Sequence, residues 1–164
     1  MSATVIKWKT MKPIPQEDSA KCWLAAYQMM FQWKGKPLDT IRSLVETALG
    51  EDGATKAYDE GLERDDWPKI CKAFGMTGVA GKDTTLDDIT GLLSHGPLLV
   101  HGKFPLGMHS IVVFGTDDDY DQVGYINPYW QGSKEVKERW SAFSWLHDGI
   151  LGNNTKAATM QYWG

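Results

Sequence analysis

Pro15-Gln16-Glu17-Asp18-Ser19-Ala20-Lys21-Cys22-Trp23-Leu24-Ala25-Ala26-Tyr27-Gln28-Met29-Met30 reads as a cysteine set in the first turn of a helix. Pro15 interrupts any preceding strand. Asp18 and Ser19 are residue types that cap helix N-termini. Good helix formers then run without Gly or Pro to Gly35, so a helix is expected from about Ser19 to Trp33. Leu24, Tyr27 and Phe31 recur at three- and four-residue spacing, which gives the helix a buried face. Cys22 then lies among unsatisfied N–H groups at the positive end of the helix dipole, an environment expected to lower a thiol pKa. A lone cysteine at a helix start is more often packing than chemistry, so its meaning depends on the rest of the chain.

Outward from this helix the pattern changes from helical to extended. Gly35-Lys36-Pro37 ends the first helix. Asp39 or Thr40 can cap a second, with Ile41, Leu44, Val45 and Leu49 on one face and Gly50 closing it. Residues 50–61 read as a polar loop. Asp65-Asp66-Trp67-Pro68 opens a third helix whose stripe is Trp67, Ile70, Cys71 and Phe74, which makes Cys71 a core residue. Residues 84–93 form a short fourth helix. Strands are expected at Val5–Lys9, Leu98–His101, Ser110–Gly115 and Val123–Asn127, with a last strand or short helix around Trp140, Phe143 and Trp145. Helices first and strands later indicate an α+β fold, an N-terminal helical half packed against a C-terminal antiparallel β-sheet, in a single domain spanning residues 1–164.

Composition narrows the function. A net charge of −4 without any Lys/Arg run argues against nucleic acid as partner. No apolar stretch reaches membrane-spanning length, and the N-terminus lacks the apolar region of a Sec signal peptide. Two cysteines make neither a disulfide framework nor a zinc site. The acidic run Asp117-Asp118-Asp119 lacks the Gly and distal Glu of a calcium loop and reads as a hairpin turn. No metal or cofactor is expected.

The strands supply the company that Cys22 needs. A turn centred on Pro105 pairs His101 with His109, and a turn centred near Asp118 sets His109 beside Asn127. A thiol at a helix start, an imidazole and a carboxamide suffice for nucleophilic catalysis. Cys22 attacks a carbonyl, His109 shuttles the proton, and Asn127 holds the imidazole. His101 is the rival base. His95 and His147 read as loop residues.

Gln16, then Cys22-Trp23 on a helix, then Met108-His109-Ser110 opening a strand, then Asn127-Pro128 at a strand end resembles the papain-like cysteine peptidases, most closely the small bacterial C39-like and related effector types. Gly96-Pro97-Leu98-Leu99-Val100 is similar to a phrase common in that group. The resemblance covers most of the chain. It departs in Ala20-Lys21, where plant and lysosomal enzymes carry Gly-Ser, and in a much shorter Cys-to-His separation. It implies the papain-like fold, a thioester intermediate and Gln16 as an oxyanion-hole donor beside the Cys22 N–H. Tyr129 or Trp130 would shield the His–Asn pair, and Trp23, Tyr27, His101 and Trp130 would border the substrate cleft. The implied activity is that of a cysteine endopeptidase acting on a protein substrate. It would serve as a bacterial effector or toxin, act in the cytoplasm or be delivered without a Sec signal, and be restrained in its producer by a cognate inhibitor. Glutamine deamidation or transglutamination by the same triad, and a silent papain-fold binding module, are the alternatives.

Overall fold

A computed structural model describes residues 3–5, 11–104, 107–129, 138–148 and 157–164. The expected helix begins at Cys22 rather than near Ser19: α1 spans Cys22–Lys34. The reason is local competition. Asp18 accepts the Ala20 N–H at 2.9 Å and pairs with the Lys21 ammonium, so the carboxylate closes its own turn instead of capping the helix. The helix terminus at Lys21 therefore has no side-chain cap. At the other end Gly35 takes a left-handed conformation (φ 79°) that ends the helix.

Helix α2 spans Ile41–Glu60, and Gly50 breaks it with φ 79° and ψ 168°. Gly50 thus closes a helix as expected, but the residues beyond it resume helical structure instead of forming the expected loop. Helix α3 (Trp67–Ala73) carries Pro68 in its first turn. Helix α4 (Leu86–Leu92) is held by a reciprocal capping box between Thr85 and Asp88.

The strands are β1 (Ala3–Val5), β2 (Thr77–Val79), β3 (Leu98–Phe104), β4 (Gly107–Asp117), β5 (Gln122–Ile126), β6 (Glu138–Ala142) and β7 (Met160–Tyr162), with a short helix α5 (Phe143–Leu146) after β6. They form one antiparallel sheet in the order β2-β7-β3-β4-β5-β6, and β1 pairs with the end of β4. The expected N-terminal strand is present only as β1, and residues 6–10 lie outside those described. Strands β2 and β7 are additions to the sequence reading, and β7 lies inside the sheet beside β3.

Both sheet faces are buried, because adjacent strand residues point to opposite sides. Leu99, Val112, Phe114 and Ile126 pack with Trp23, Tyr27, Met30 and Phe31 of α1 and with Trp67 and Ile70 of α3. Leu98, Val100, Ile111, Val113 and Val123 pack on the other side with Ile89 and Leu93 near α4 and with Leu146 of α5. Each such large apolar side chain contributes about 1.5–3 kcal/mol on burial. Among the described residues no helix is long and apolar enough to cross a membrane.

Two register details decide where the site residues point. Strands β3 and β4 close on the pair Phe104–Gly107, half a residue later than a turn centred on Pro105. His101 consequently faces Ser110, not His109. A shift of one residue reverses the face of a strand residue, so His101 and His109 point to opposite sides of the sheet. Between β4 and β5 the last pair is Val112–Ile126. Asn127 follows directly, displaced two residues from the expected position opposite His109. That displacement keeps the face unchanged.

Candidate active site

Cys22 opens α1 and is 7% exposed. It lines a cleft of about 290 Å³ together with Trp23, Trp67, Met108, His109 and Ser110, and Glu60 and Glu63 also line it. The missing N-cap has a chemical consequence here. The N–H groups of Cys22, Trp23 and Ser110 favour a thiolate at this sulfur. Burial outweighs them and pushes the thiol up from its ordinary value. The expected lowering by the helix start is therefore reversed, because the thiol is nearly out of water.

His109 Nε2 and Asn127 Oδ1 are 2.5 Å apart. The same Asn127 oxygen accepts the Tyr129 backbone N–H at 3.0 Å. A backbone N–H can only donate, so the carboxamide must present its oxygen on this side. It follows that His109 donates from Nε2, and in the neutral ring Nδ1 carries the lone pair. Burial pushes the His109 pKa down, and the bond to Asn127 partly offsets it. At neutral pH both the thiol and the imidazole thus favour their uncharged forms.

Gln16 is buried. Its backbone N–H donates to the Pro128 carbonyl at 3.1 Å, which ties the segment before α1 to the segment carrying Asn127. Its side-chain Nε2 donates to the Asp18 carbonyl at 2.7 Å.

Of the residues expected at the cleft rim, Trp23 lines the cleft but is itself buried, edge-on to Tyr58, and Tyr27 is fully buried in the core behind it. Tyr129 stands edge-on to His109 at 6.5 Å. Trp130 lies outside the described residues. His101 is corrected in position: it is 1% exposed, stacked on Trp67 at 4.7 Å and bonded to Tyr27 and Ser110, beneath the cleft rather than on its rim. Burial drives its pKa down to about 3, so it is a neutral core histidine at any ordinary pH. Cys71 is buried in the apolar stripe of α3, and burial pushes its thiol up to about 11. Asp117 accepts the Asp119 N–H at 3.0 Å, closing the hairpin as expected.

Sequence reasoning missed Ser110 as a neighbour of the sulfur and Gln161 as a buried polar residue. The alternation in Thr159-Met160-Gln161-Tyr162-Trp163 was the signal for the strand that carries Gln161. For Ser110 the signal was its place directly after His109 on a strand.

A comparison with curated proteins gives no match. The family model described as papain-like cysteine protease AvrRpt2, Peptidase_C70, matches residues 6–147, a span that includes Gln16, Cys22, His109 and Asn127. Since that span is most of the chain, a helix-borne cysteine over an antiparallel sheet has its explanation: the chain belongs to the AvrRpt2 family of papain-like cysteine proteases, a family of bacterial effectors.

Proposed function

We propose that the protein is a cysteine endopeptidase working through Cys22, His109 and Asn127, with Gln16 in the oxyanion hole. The observation that carries this reading is the His109–Asn127 hydrogen bond beside the cleft lined by Cys22. His109 Nδ1 takes the thiol proton as the Cys22 sulfur attacks a substrate carbonyl carbon. The carbonyl electrons move to oxygen, which accepts hydrogen bonds from the Cys22 N–H and from the second hydrogen of Gln16 Nε2. The intermediate collapses, the C–N bond breaks, and Nδ1 passes its proton to the departing amine. Water then attacks the thioester with His109 as base, which releases the acid and restores the thiol. Asn127 keeps the ring in the tautomer that this proton traffic needs. Uncharged resting partners suit the scheme, since the proton moves only when substrate arrives.

The family's effector character supports a protein substrate inside a cell other than the producer, and a protease of this kind active at its place of synthesis would call for a cognate inhibitor there. The test is mapping of new protein N-termini in a cell lysate treated with the wild type or with Cys22→Ala. Termini made by the wild type and absent with Cys22→Ala are expected, with at least about a 10⁴-fold loss of cleavage. Identical termini from both proteins would overturn the assignment of Cys22.

A further inference from the structure

A buried chain of polar groups runs into the core from Ser110, which lines the cleft together with Cys22. The Ser110 hydroxyl lies 2.7 Å from His101 Nδ1. His101 Nε2 lies 3.1 Å from the Tyr27 hydroxyl, which donates to Gln161 Oε1 at 2.6 Å. Gln161 Nε2 donates to the carbonyls of Ala158 at 2.9 Å and Trp67 at 3.4 Å. Every member is buried, and the residues come from α1, β3, β4 and β7.

The far end of the chain fixes its direction. Two carbonyls face the Gln161 amide nitrogen, so its oxygen must face Tyr27. The Tyr27 proton is therefore spent on Gln161, and the phenol oxygen can only accept from His101. His101 donates from Nε2 and, being neutral, presents a lone pair at Nδ1. Only Ser110 can supply the proton for that contact.

We propose that Ser110 is a positioning residue for Cys22, its hydroxyl proton turned away from the sulfur by the chain through His101 and Tyr27 to Gln161. Toward the cleft that it lines with Cys22, the Ser110 oxygen then presents a lone pair, which suits a thiol and opposes a thiolate. Strand alternation makes the device possible: consecutive residues of β4 present His109 to one side of the reaction and Ser110 to the other. The charged and titratable groups of the cleft around the sulfur are His109 from β4 and the lining residues Glu60 and Glu63. Around His101 they are Tyr27 from α1 and, beyond Tyr27, the uncharged thiol of Cys71 from α3.

The proposal rests on Cys22 as the nucleophile, but its test reads the chain separately. In ¹⁵N spectra of the wild type, His101 is expected to show a protonated Nε2 and a bare Nδ1 from about pH 4 to 8. A protonated Nδ1 would overturn the proposed direction, whatever Cys22→Ala does to cleavage. The functional arm is the pH midpoint of Cys22 alkylation. Tyr27→Phe removes the acceptor of His101 Nε2, so the ring can move its proton to Nδ1 and turn the Ser110 hydroxyl toward the sulfur. The midpoint is expected to fall by about one pH unit, the worth of a hydrogen bond to a charged group. Ser110→Ala should abolish that fall when combined with Tyr27→Phe, with a circular dichroism spectrum for each variant to verify folding. A fall that persists without Ser110, or no fall in a folded Tyr27→Phe protein, would show that the chain does not act on the thiol.

Discussion

At the scale of single residues, Asn127 offers the sharpest test of the site. One oxygen accepts from both His109 Nε2 and the Tyr129 N–H. Asn127→Ala leaves two donors without that partner and releases the imidazole from its tautomer. A fall in kcat of about 10²–10⁴-fold with little change in KM is expected, measured on a substrate found by terminus mapping. A variant with wild-type kcat would remove Asn127 from the proposed triad. That Cys22 would open a helix and that His109 would meet Asn127 across neighbouring strands was legible in the sequence, because helix starts and hairpin spacings constrain these positions to within a residue or two. His101 was misread by half a residue in one turn, enough to move it from the cleft to the core. The role proposed for Ser110 was not legible, because it depends on a proton whose direction is set by Gln161, far away in sequence.

At the scale of elements, residue types named the boundaries well where one residue decides them, as with Gly35, Pro68 and the Thr85–Asp88 box. They failed where two local bonds compete. Asp18 looked like a cap but serves its own turn, and this moves the helix start onto Cys22. The three-residue strands β2 and β7 carry too little pattern to be read alone, and only pairing within the sheet creates them. Gly50 tests the element level directly. Its φ and ψ are open to glycine and strained for other residues, while an added methyl group would meet no atom within 4 Å. Gly50→Ala should thus cost about 1–3 kcal/mol through the backbone alone. Denaturant unfolding would measure it, and a loss under a few tenths of a kcal/mol would mean that α2 tolerates the kink without glycine.

At the scale of the whole molecule, the last strand joins the first helix through Gln161 and Tyr27, and His101 is enclosed where they meet. The order of the elements was visible in the sequence, but this closure was not, since it depends on β7 entering between β2 and β3. Enclosing a histidine couples the fold to pH. The folded value near 3 lies below the ordinary value of 6.5. Above about pH 6.5 both folded and unfolded chains hold a neutral ring, so His101 adds no pH dependence there. Below that, the unfolded chain takes up a proton that the folded chain refuses, and stability falls by about 1.4 kcal/mol per pH unit until the folded value is reached. His109, also pushed down by burial, acts in the same direction. Between pH 7 and pH 5 His101 alone should remove about 2 kcal/mol, well above the range where carboxylates titrate. Denaturant unfolding across that interval would record the slope. A flat profile would mean that the ring at position 101 takes up its proton in the folded state, and with it the direction assigned to the Ser110 hydroxyl would fall.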